Sequence, residues 1–337
     1  MKSIDRHTGS VTLLIALAII VLYSGSALAT DDGARAYWKG REGTQGVSIQ
    51  YLNLDLQASD SKQFAPGQYV YPGADVEATL FIASYARHLV LFDRQSALLF
   101  GVAGGSVDVA GSATSSISPT PGVDYSESAS GYADPFIQLD VNLFGTPPLK
   151  RNFDLLDYEP TWTIDVATML ALPIGMYDSD KLVNLGQNRW FGRIALPVKY
   201  HFGVFSPGYM KSFEVIPSVW LFDENDDFMG EKLENDPLWQ VEAHLTSDFT
   251  PSFWGSLDLL FRGGFQSEID GVEKGEELDI GDLGFTLNFQ VNDNLGIRTS
   301  FSSNVFGDSN LNNSMIRLGF VYGWHNDNEN IKKLQRH

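Results

Sequence analysis

Charged side chains in this chain recur at every second position of otherwise apolar stretches. In one such stretch, Thr163 and Asp165 alternate with Trp162, Ile164 and Val166. Alternation with a period of two places the two sets on opposite faces of a β-strand. The charged residues therefore share a polar face, where they could form an electrostatic filter or gate for solutes, or brace an interior through charge pairs.

Eleven charged residues stand on such polar faces, and an Arg or Lys facing lipid at the membrane midplane would cost about 2–4 kcal/mol. The sequence therefore predicts that they line an interior: Glu77, Asp140, Asp165, Arg193, Lys199, Glu242, Asp258, Arg262, Asp282, Arg298 and Arg317.

The elements that must position these residues are strands of about ten residues, long enough to cross an outer membrane when tilted. Twelve are predicted, at 47–56, 75–86, 96–107, 134–143, 161–172, 190–202, 212–221, 238–246, 253–265, 279–289, 295–304 and 315–324.

The connections between these strands alternate in length, which indicates large loops at one end of the sheet and tight turns at the other. Long connections are predicted at 57–74, 108–133, 173–189, 222–237, 266–278 and 305–314. Residues 247–252 and 290–294 are short turns, whereas 144–160 is long for a turn. The predicted fold is all-β: an antiparallel transmembrane β-barrel of about 12 strands, with long extracellular loops and short periplasmic turns. A secreted β-sandwich is the alternative, but its strands would be nearer five or six residues.

The N-terminus has the pattern of a cleaved secretory signal peptide. Lys2 and Arg6 precede an apolar run at 11–23, and Ala27-Leu28-Ala29 forms a small-residue cleavage site. The predicted organisation is a signal peptide at 1–29, a periplasmic segment or lumen plug at 30–46, a barrel at 47–324 and a polar tail at 325–337. This organisation predicts that the protein is located in the cell outer membrane.

Composition excludes several classes of function. The chain has no cysteine, so it has neither disulfides nor a cysteine-based metal site. Its formal net charge of −19 argues against nucleic acid as a partner. The expected partners are outer-membrane lipid and lipopolysaccharide, and the protein is expected to be a monomer.

No enzyme site is predicted. His88, His201 and His244 have no zinc-site spacing, and no catalytic residue, cofactor or metal ion is assigned. A lipid hydrolase resembling the twelve-stranded outer-membrane phospholipases would need a histidine facing lipid, whereas His201 and His244 fall on polar faces. A calcium-loop pattern at Asp223, Asn225, Asp227 and Glu234 lacks the required glycine, because its sixth position is Phe228, so a solvated acidic loop is the competing reading.

Two stretches resemble the MetA-pathway of phenol degradation family of outer-membrane transporter-like barrels. One stretch is residues 33–44, and the other joins Leu172-Pro173-Ile174-Gly175-Met176-Tyr177-Asp178 to a motif with Asn184, Gly186, Asn188, Arg189 and Trp190. The similarity extends over roughly 34–324. Position 174 departs from the proline-threonine-glycine pattern of the family.

The resemblance implies an outer-membrane channel or transporter for small hydrophobic compounds, including aromatic ones. For the residues of the motif, a structured loop at the barrel mouth competes with direct contact to solute, because Asn and Gly are loop-forming residues. A structural or ligand-binding barrel that acts through its extracellular loops is a second reading of the whole protein, and a lipid hydrolase is a third.

Overall fold

The computed structural model describes residues 31–58, 62–65, 68–70, 74–113, 123–151, 154, 157–274, 277–307 and 311–325. The predicted signal peptide and the tail after His325 lie outside these residues. One closed antiparallel sheet of twelve strands forms a barrel, which confirms the predicted fold class. Within the described residues, no helix has both the length and the apolar character needed to cross a membrane.

The twelve barrel strands are named β1 to β12 in chain order. Two of them are interrupted and have two halves each. The bounds are β1 Gln45–Ala58, β2 Ala74–Leu91, β3 Arg94–Ala113, β4 Val123–Tyr132 and Phe136–Phe144, β5 Trp162–Ala171, β6 Phe191–Ala195 and Val198–Phe202, β7 Lys211–Phe222, β8 Leu238–Thr250, β9 Phe253–Gly264, β10 Leu278–Gln290, β11 Leu295–Gly307 and β12 Leu311–Trp324.

The barrel closes where its last strand pairs with its first. Gln45 lies opposite Trp324 and Ala58 opposite Leu311, with an unbroken antiparallel register between them. Pro197 interrupts β6, and both halves of that strand still pair with β5 and β7. Each of the twelve strands pairs with two neighbours, which closes the sheet as a membrane requires. In the part of the chain that the structure describes, the outer half of β4, Val123–Tyr132, pairs with β3 alone.

Alternation along each strand separates a lipid-facing surface from an interior. Large apolar side chains are exposed on the outside, as at Ile49, Phe81, Leu257 and Phe320. Such groups in contact with lipid tails are the outer belt of an outer-membrane barrel. The location predicted from the sequence, the cell outer membrane, is therefore confirmed.

The interior changes in character along the barrel axis. On β2 the inward residues of the extracellular half include Leu80 and Ile82, whereas those of the periplasmic half include Ser84 and His88. Inward apolar residues of the outer half form one buried cluster, against which the partly buried Phe222 packs. Together they are named here the apolar zone: Leu52, Leu56, Val76, Ala78, Leu80, Ile82, Phe136, Met169, Phe191, Ile216, Trp220, Phe222, Leu238, Phe265, Leu278 and Ile280.

The prediction that Glu77 lines the interior is wrong. Glu77 is exposed on the outer face of β2, in register between Asp55 and Asp108. With 18 residues, β2 is longer than the roughly 9–11 residues that span a bilayer. The outer third of β2 therefore extends beyond the lipid. There the outer face is in contact with water and the interior is apolar, so the polarity of a side chain no longer shows which side of the strand faces inward.

The outer ends carry more regular structure than the sequence indicated. The predicted loop at 108–133 is largely strand, because β3 continues to Ala113 and β4 begins at Val123. Two loops after β7 and β9 join in a four-stranded outer sheet made of Asn225–Phe228, Glu231–Asn235, Ser267–Ile269 and Val272–Lys274. The loop after β1 holds a hairpin of Lys62–Ala65 and Gln68–Val70.

Candidate functional site

Residues 31–44, named here the internal segment, lie inside the barrel on its periplasmic side. They precede β1 and run from the periplasmic rim at Thr44 to mid-lumen at Asp31. These residues are buried: over the whole residue, Arg35 and Trp38 are each 2% exposed and Lys39 is 5% exposed. Hydrogen bonds and ion pairs to the barrel wall hold the segment at three levels and at its base.

At the level deepest in the lumen, two acidic residues of the segment meet basic residues of the wall. Asp31 lies 2.7 Å from the guanidinium of Arg317, and Asp32 lies 2.6 Å from that of Arg193. The backbone N–H of Asp32 donates to Glu242, which also accepts from Arg193 at 3.1 Å. These contacts join the segment to β12, β6 and β8.

At the middle level, Arg35 is held from several sides. Its guanidinium lies 2.7 Å from Asp248 and donates to Thr246, while its backbone N–H donates to Glu214. The guanidinium carbon also lies 4.3 Å from the ring centroid of Trp38 and 4.4 Å from that of Trp254. A cation between two desolvated aromatic faces gains a cation–π contribution in addition to its ion pair.

Closer to the periplasm, four charges form a compact cluster. Lys39 of the segment pairs with Asp140 and lies 3.3 Å from Asp165, and Lys199 pairs with Asp165 as well. The side chains of all four are at most 2% exposed. Lys199 also donates to the backbone carbonyl of Tyr37. Two cations and two anions compensate each other here, as buried charges require.

The base of the segment is fastened to the periplasmic rim. Gln95 donates to the carbonyl of Gly40 at 2.6 Å, and Arg41 donates to the ring of His325. A Cβ on Gly40 would lie 2.8 Å from the ring of His88, so only glycine permits this close approach.

Ten of the eleven charged residues predicted to line the interior are buried inside the barrel; Glu77 is the exception. Those in contact with the internal segment or its ion pairs are Asp140, Asp165, Arg193, Lys199, Glu242 and Arg317.

The other four predicted residues lie on β9, β10 and β11. Asp258 accepts hydrogen bonds from Thr286 and contacts His244 at 2.8 Å. Arg262 lies 3.1 Å from Asp282, and Arg298 stacks over Trp254 at 5.0 Å. Within the described residues, no group of three or more His, Asp or Glu side chains is arranged to hold a metal ion.

Sequence reasoning missed several residues that hold the internal segment. Glu214 alternates with Phe213 and Val215 on β7, so the same period-two signal could have found it. Asp248 lies beyond the predicted end of β8, and Gln95 lies just before the predicted start of β3. No periodic signal marks their contact with the segment.

The motif in the loop after β5 is tied to the interruption of β4. The carboxylate of Asp134 accepts the backbone N–H groups of Gly175 and Gln187, both at 2.7 Å. Gly186 lies so close to Gly175 that a Cβ would come within 2.6 Å of its carbonyl carbon. The two glycines therefore permit a backbone contact that other residues would block.

The asparagines of the motif brace loops. The side chain of Asn184 accepts from the N–H of Asp178 and donates to its carbonyl. Asn188 has a φ of 55° and donates to Asn225 of the outer sheet. Both roles suit Asn, which tolerates the left-handed region and bonds to nearby backbone.

Arg189 and Trp190 complete the motif at the start of β6. Arg189 donates to the carbonyl of Asp223 and stacks over Phe222 at 5.1 Å. Burial lowers the pKa of the Arg189 guanidinium to about 10. Trp190 is 46% exposed on the outer surface. Asn225 of the calcium-like pattern is likewise engaged in these loop contacts.

Comparison with known proteins places these features in a family. The family described as "Putative MetA-pathway of phenol degradation" matches residues 59–310, which is more than half of the chain. No curated protein matches the chain.

Among solved structures, the chain is similar to the COG4313 outer membrane channel from Pseudomonas putida F1. The TM-score is 0.64 at 15% identity, covering 87% of this chain and 100% of that one. The transport unit of the autotransporter AIDA-I from Escherichia coli gives a TM-score of 0.48 at 11% identity, covering 95% and 99%. The β domain of the Bordetella autotransporter BrkA gives 0.44 at 8% identity, covering 83% and 99%. The first of these supports the barrel fold, and the match over residues 59–310 confirms the resemblance found in the sequence. The chain belongs to the family described as "Putative MetA-pathway of phenol degradation".

Proposed function

We propose that this barrel is an outer-membrane channel for small hydrophobic compounds, including aromatic ones, and that the internal segment closes it at rest. The observation that carries the proposal is the apolar zone, because the interiors of general porins are polar and filled with water. Membership of the family supports the same class of solute.

The apolar zone favours entry of apolar solutes over ions. Each methylene transferred from water to an apolar surface gains about 0.8 kcal/mol, which is about a fourfold preference. Ions lose hydration in such a passage without compensation, and apolar constrictions exclude water. The outer half of the lumen can therefore select for hydrophobicity before a solute reaches the charged half.

Aromatic rings are concentrated on one side of this zone. The ring centroids of Phe191 and Trp220 are 6.5 Å apart, those of Phe191 and Phe222 are 6.2 Å apart, and those of Phe222 and Phe265 are 4.9 Å apart. Offset aromatic pairs gain about 0.5–1.5 kcal/mol beyond the area they bury. A planar aromatic solute could replace one partner of such a pair.

The internal segment supplies the closure. It occupies the polar half of the lumen and compensates the charges of the wall through Asp32, Arg35 and Lys39. Passage to the periplasm requires this segment to move, which gives the channel a closed resting state. We propose that the barrel acts as a monomer within lipid and lipopolysaccharide.

The experiment changes the zone at a single inward position. In cells that lack the native gene, uptake of toluene, ethylbenzene and propylbenzene is compared for the unaltered chain and Leu80→Asn. Removing a buried leucine's apolar surface weakens solute binding by about 1.5–3 kcal/mol, so uptake should fall by about tenfold or more.

Thr79→Asn is the matched control, because Thr79 is the adjacent residue of β2 and faces outward. It should leave uptake unchanged. Equal uptake by cells with and without the protein, or equal uptake by Leu80→Asn and the unaltered chain, contradicts the proposal.

A second candidate function is a structural or ligand-binding barrel that acts through its outer loops. The internal segment favours it, because a filled lumen does not conduct. The outer sheet also borders a cavity of about 470 Å³ lined by Phe222 and acidic residues such as Glu234 and Glu268. The two candidates differ when residues 31–39 are deleted: a channel then conducts, and a structural barrel with a lumen sealed by side chains does not.

A lipid hydrolase has less support. Its histidine would have to face lipid, whereas His201 is 9% exposed and His244 1% exposed inside the barrel. His244 is engaged with Asp258 and Glu242 between strands. Assay of the pure protein on phospholipid tests this alternative directly, and turnover would overturn the channel as the primary function.

A further inference from the structure

Two periplasmic connections meet beneath the internal segment. One joins β4 to β5 and is described at residues 145–151, 154 and 157–161, and the other joins β6 to β7 across residues 203–210. The two connections together are named here the clasp. The first of them is the long connection that broke the sequence pattern of short turns, so its length calls for a role.

Phe205 is the residue at which the two connections and the segment touch. Its ring centroid lies 5.7 Å from that of Trp38 in the internal segment, 5.5 Å from that of Tyr158 in the other connection and 5.4 Å from that of His201 on β6. Phe205 also packs against the buried pair of Leu149 and Tyr158. The clasp therefore holds the tryptophan of the segment through a continuous apolar contact.

Gln95 couples the first connection to the segment. Its amide nitrogen donates to the carbonyl of Gly40 at 2.6 Å, and its amide oxygen accepts the N–H of Leu149 at 2.8 Å. The backbone of the same connection also touches the segment directly, since the N–H of Glu42 donates to the carbonyl of Leu149 at 2.8 Å. Gln95 itself is fully buried.

Asp248 performs the same task for the second connection. One carboxylate oxygen lies 2.7 Å from Arg35 of the segment. The other accepts the N–H groups of Gly208 at 2.9 Å and Met210 at 3.3 Å. Gln95 and Asp248 each bind a connection and the segment at once, so each of them couples one connection to the segment.

We propose that the clasp controls opening of the channel. Displacement of the internal segment then begins with opening of the two periplasmic connections. The inference rests on the proposed function, in which the segment closes the lumen. It assigns control of the closed state to the periplasmic face and makes Phe205 a positioning residue for the segment.

The test compares Phe205→Ala with Phe249→Ala in the full chain. Phe249 is an aromatic residue at the same end of the barrel, 59% exposed on the outside and in contact with Phe253 rather than the segment. Since the chain has no cysteine, Ala36→Cys places a single thiol in the buried segment of each variant. The readouts are labelling of that thiol by a charged maleimide and channel open time in planar bilayers.

Labelling of a transiently opened site follows the population of the open state. Loss of three ring contacts should raise both the labelling rate and the open time by about tenfold or more. Phe249→Ala should have the same labelling rate and open time as the parent. If the folded Phe205→Ala protein has the labelling rate and the open time of the parent, the proposal that the clasp controls opening is wrong.

Folding is checked by the heat-dependent migration of the barrel in detergent gels. If Phe205→Ala does not fold, Phe205→Leu carries the test, with an expected rise that is still about tenfold, because all three ring contacts are lost although most of the apolar packing is kept. Deletion of residues 31–39 separates this proposal from the proposed function. If the deletion opens the channel but neither Phe205 variant does, only the proposed role of the clasp is refuted. If the deletion does not open the channel, the proposed channel function is refuted.

Discussion

Replacement of Lys39 by methionine should release the internal segment. Lys39 pairs with Asp140 and lies 3.3 Å from Asp165, and its side chain is 1% exposed. Methionine keeps most of the apolar stem and removes the charge. The substitution leaves one cation, Lys199, of the two that compensate this pair of carboxylates.

The expected magnitude follows from the burial of the cluster. Removing one partner of a buried ion pair costs about 3–5 kcal/mol, because the remaining charge stays desolvated. The cost falls on the seated state alone, since a lumen without the segment admits water to the carboxylates. The equilibrium between seated and displaced segment should therefore shift by about a hundredfold to a few thousandfold.

Open time in planar bilayers measures this shift. Lys232→Met is the matched control, because Lys232 of the outer sheet lies 2.7 Å from Glu234 with side-chain exposures of 41% and 43%. Exposed pairs contribute about 0–1 kcal/mol, so the control should behave as the unaltered chain. The double variant Lys39→Met with Asp140→Asn should close again in part, since a neutral pair restores the charge balance.

Two results would refute this reasoning. One is an unchanged open time in a folded Lys39→Met protein. The other is equal opening by Lys39→Met and Lys232→Met, because burial would then not set the strength of the interaction.

Three further predictions concern the outer loops. Gly186→Ala should destabilise the barrel by about 1–3 kcal/mol, because its Cβ would overpack against Gly175, and thermal unfolding should show a lower midpoint. Asp134→Ala should cost about 1–3 kcal/mol for each of the two N–H groups that lose an acceptor, Gly175 and Gln187, measured by denaturant unfolding in detergent. Lys232→Gln should leave stability and conductance unchanged in the same assays, because its ion pairs are exposed.

Each of these predictions has its own control. Gly319→Ala should be tolerated, since its Cβ would make ordinary van der Waals contacts with Gln50 at 3.4 Å and Arg298 at 3.9 Å. Asp134→Asn keeps one acceptor and should lie between Ala and the unaltered chain. A Gly186→Ala barrel as stable as Gly319→Ala, or a large loss from Lys232→Gln, would show that the loop contacts are assigned incorrectly.

Alternation predicted the twelve strands because, within the membrane, the side chains facing lipid must be apolar whereas those facing the interior can be polar. Leu257 must face lipid and Asp258 must not, so the pattern fixes both the element and its orientation. The rule fails at Glu77, which lies where lipid no longer surrounds the barrel. It also understated β3 and β4, whose outer halves are rich in Ser and Gly and project beyond the membrane.

The internal segment could not be placed from sequence. Residues 31–44 have no periodicity, and their position depends on partners more than a hundred residues away, such as Asp140 and Glu242. The sequence left the segment as either periplasmic or inside the lumen. Only the three-dimensional arrangement brings its charges opposite those of the wall.

The polar and apolar halves of the lumen explain how one barrel can combine selectivity with closure. The apolar zone can accept a hydrophobic solute without hydrogen-bond partners, whereas the charged half can be sealed by a segment of complementary charge. In our proposal, the clasp controls when the seal opens. These assignments depend on one another, so a single comparison tests their common basis.

That comparison is the initial rate of toluene uptake by cells that lack the native gene and express either the full chain or the chain without residues 31–39. If the segment closes a channel for hydrophobic solutes, the deletion takes up toluene faster than the full chain, and adding Leu80→Asn abolishes the gain. A folded deletion variant that takes up toluene no faster than cells without the protein would contradict the account.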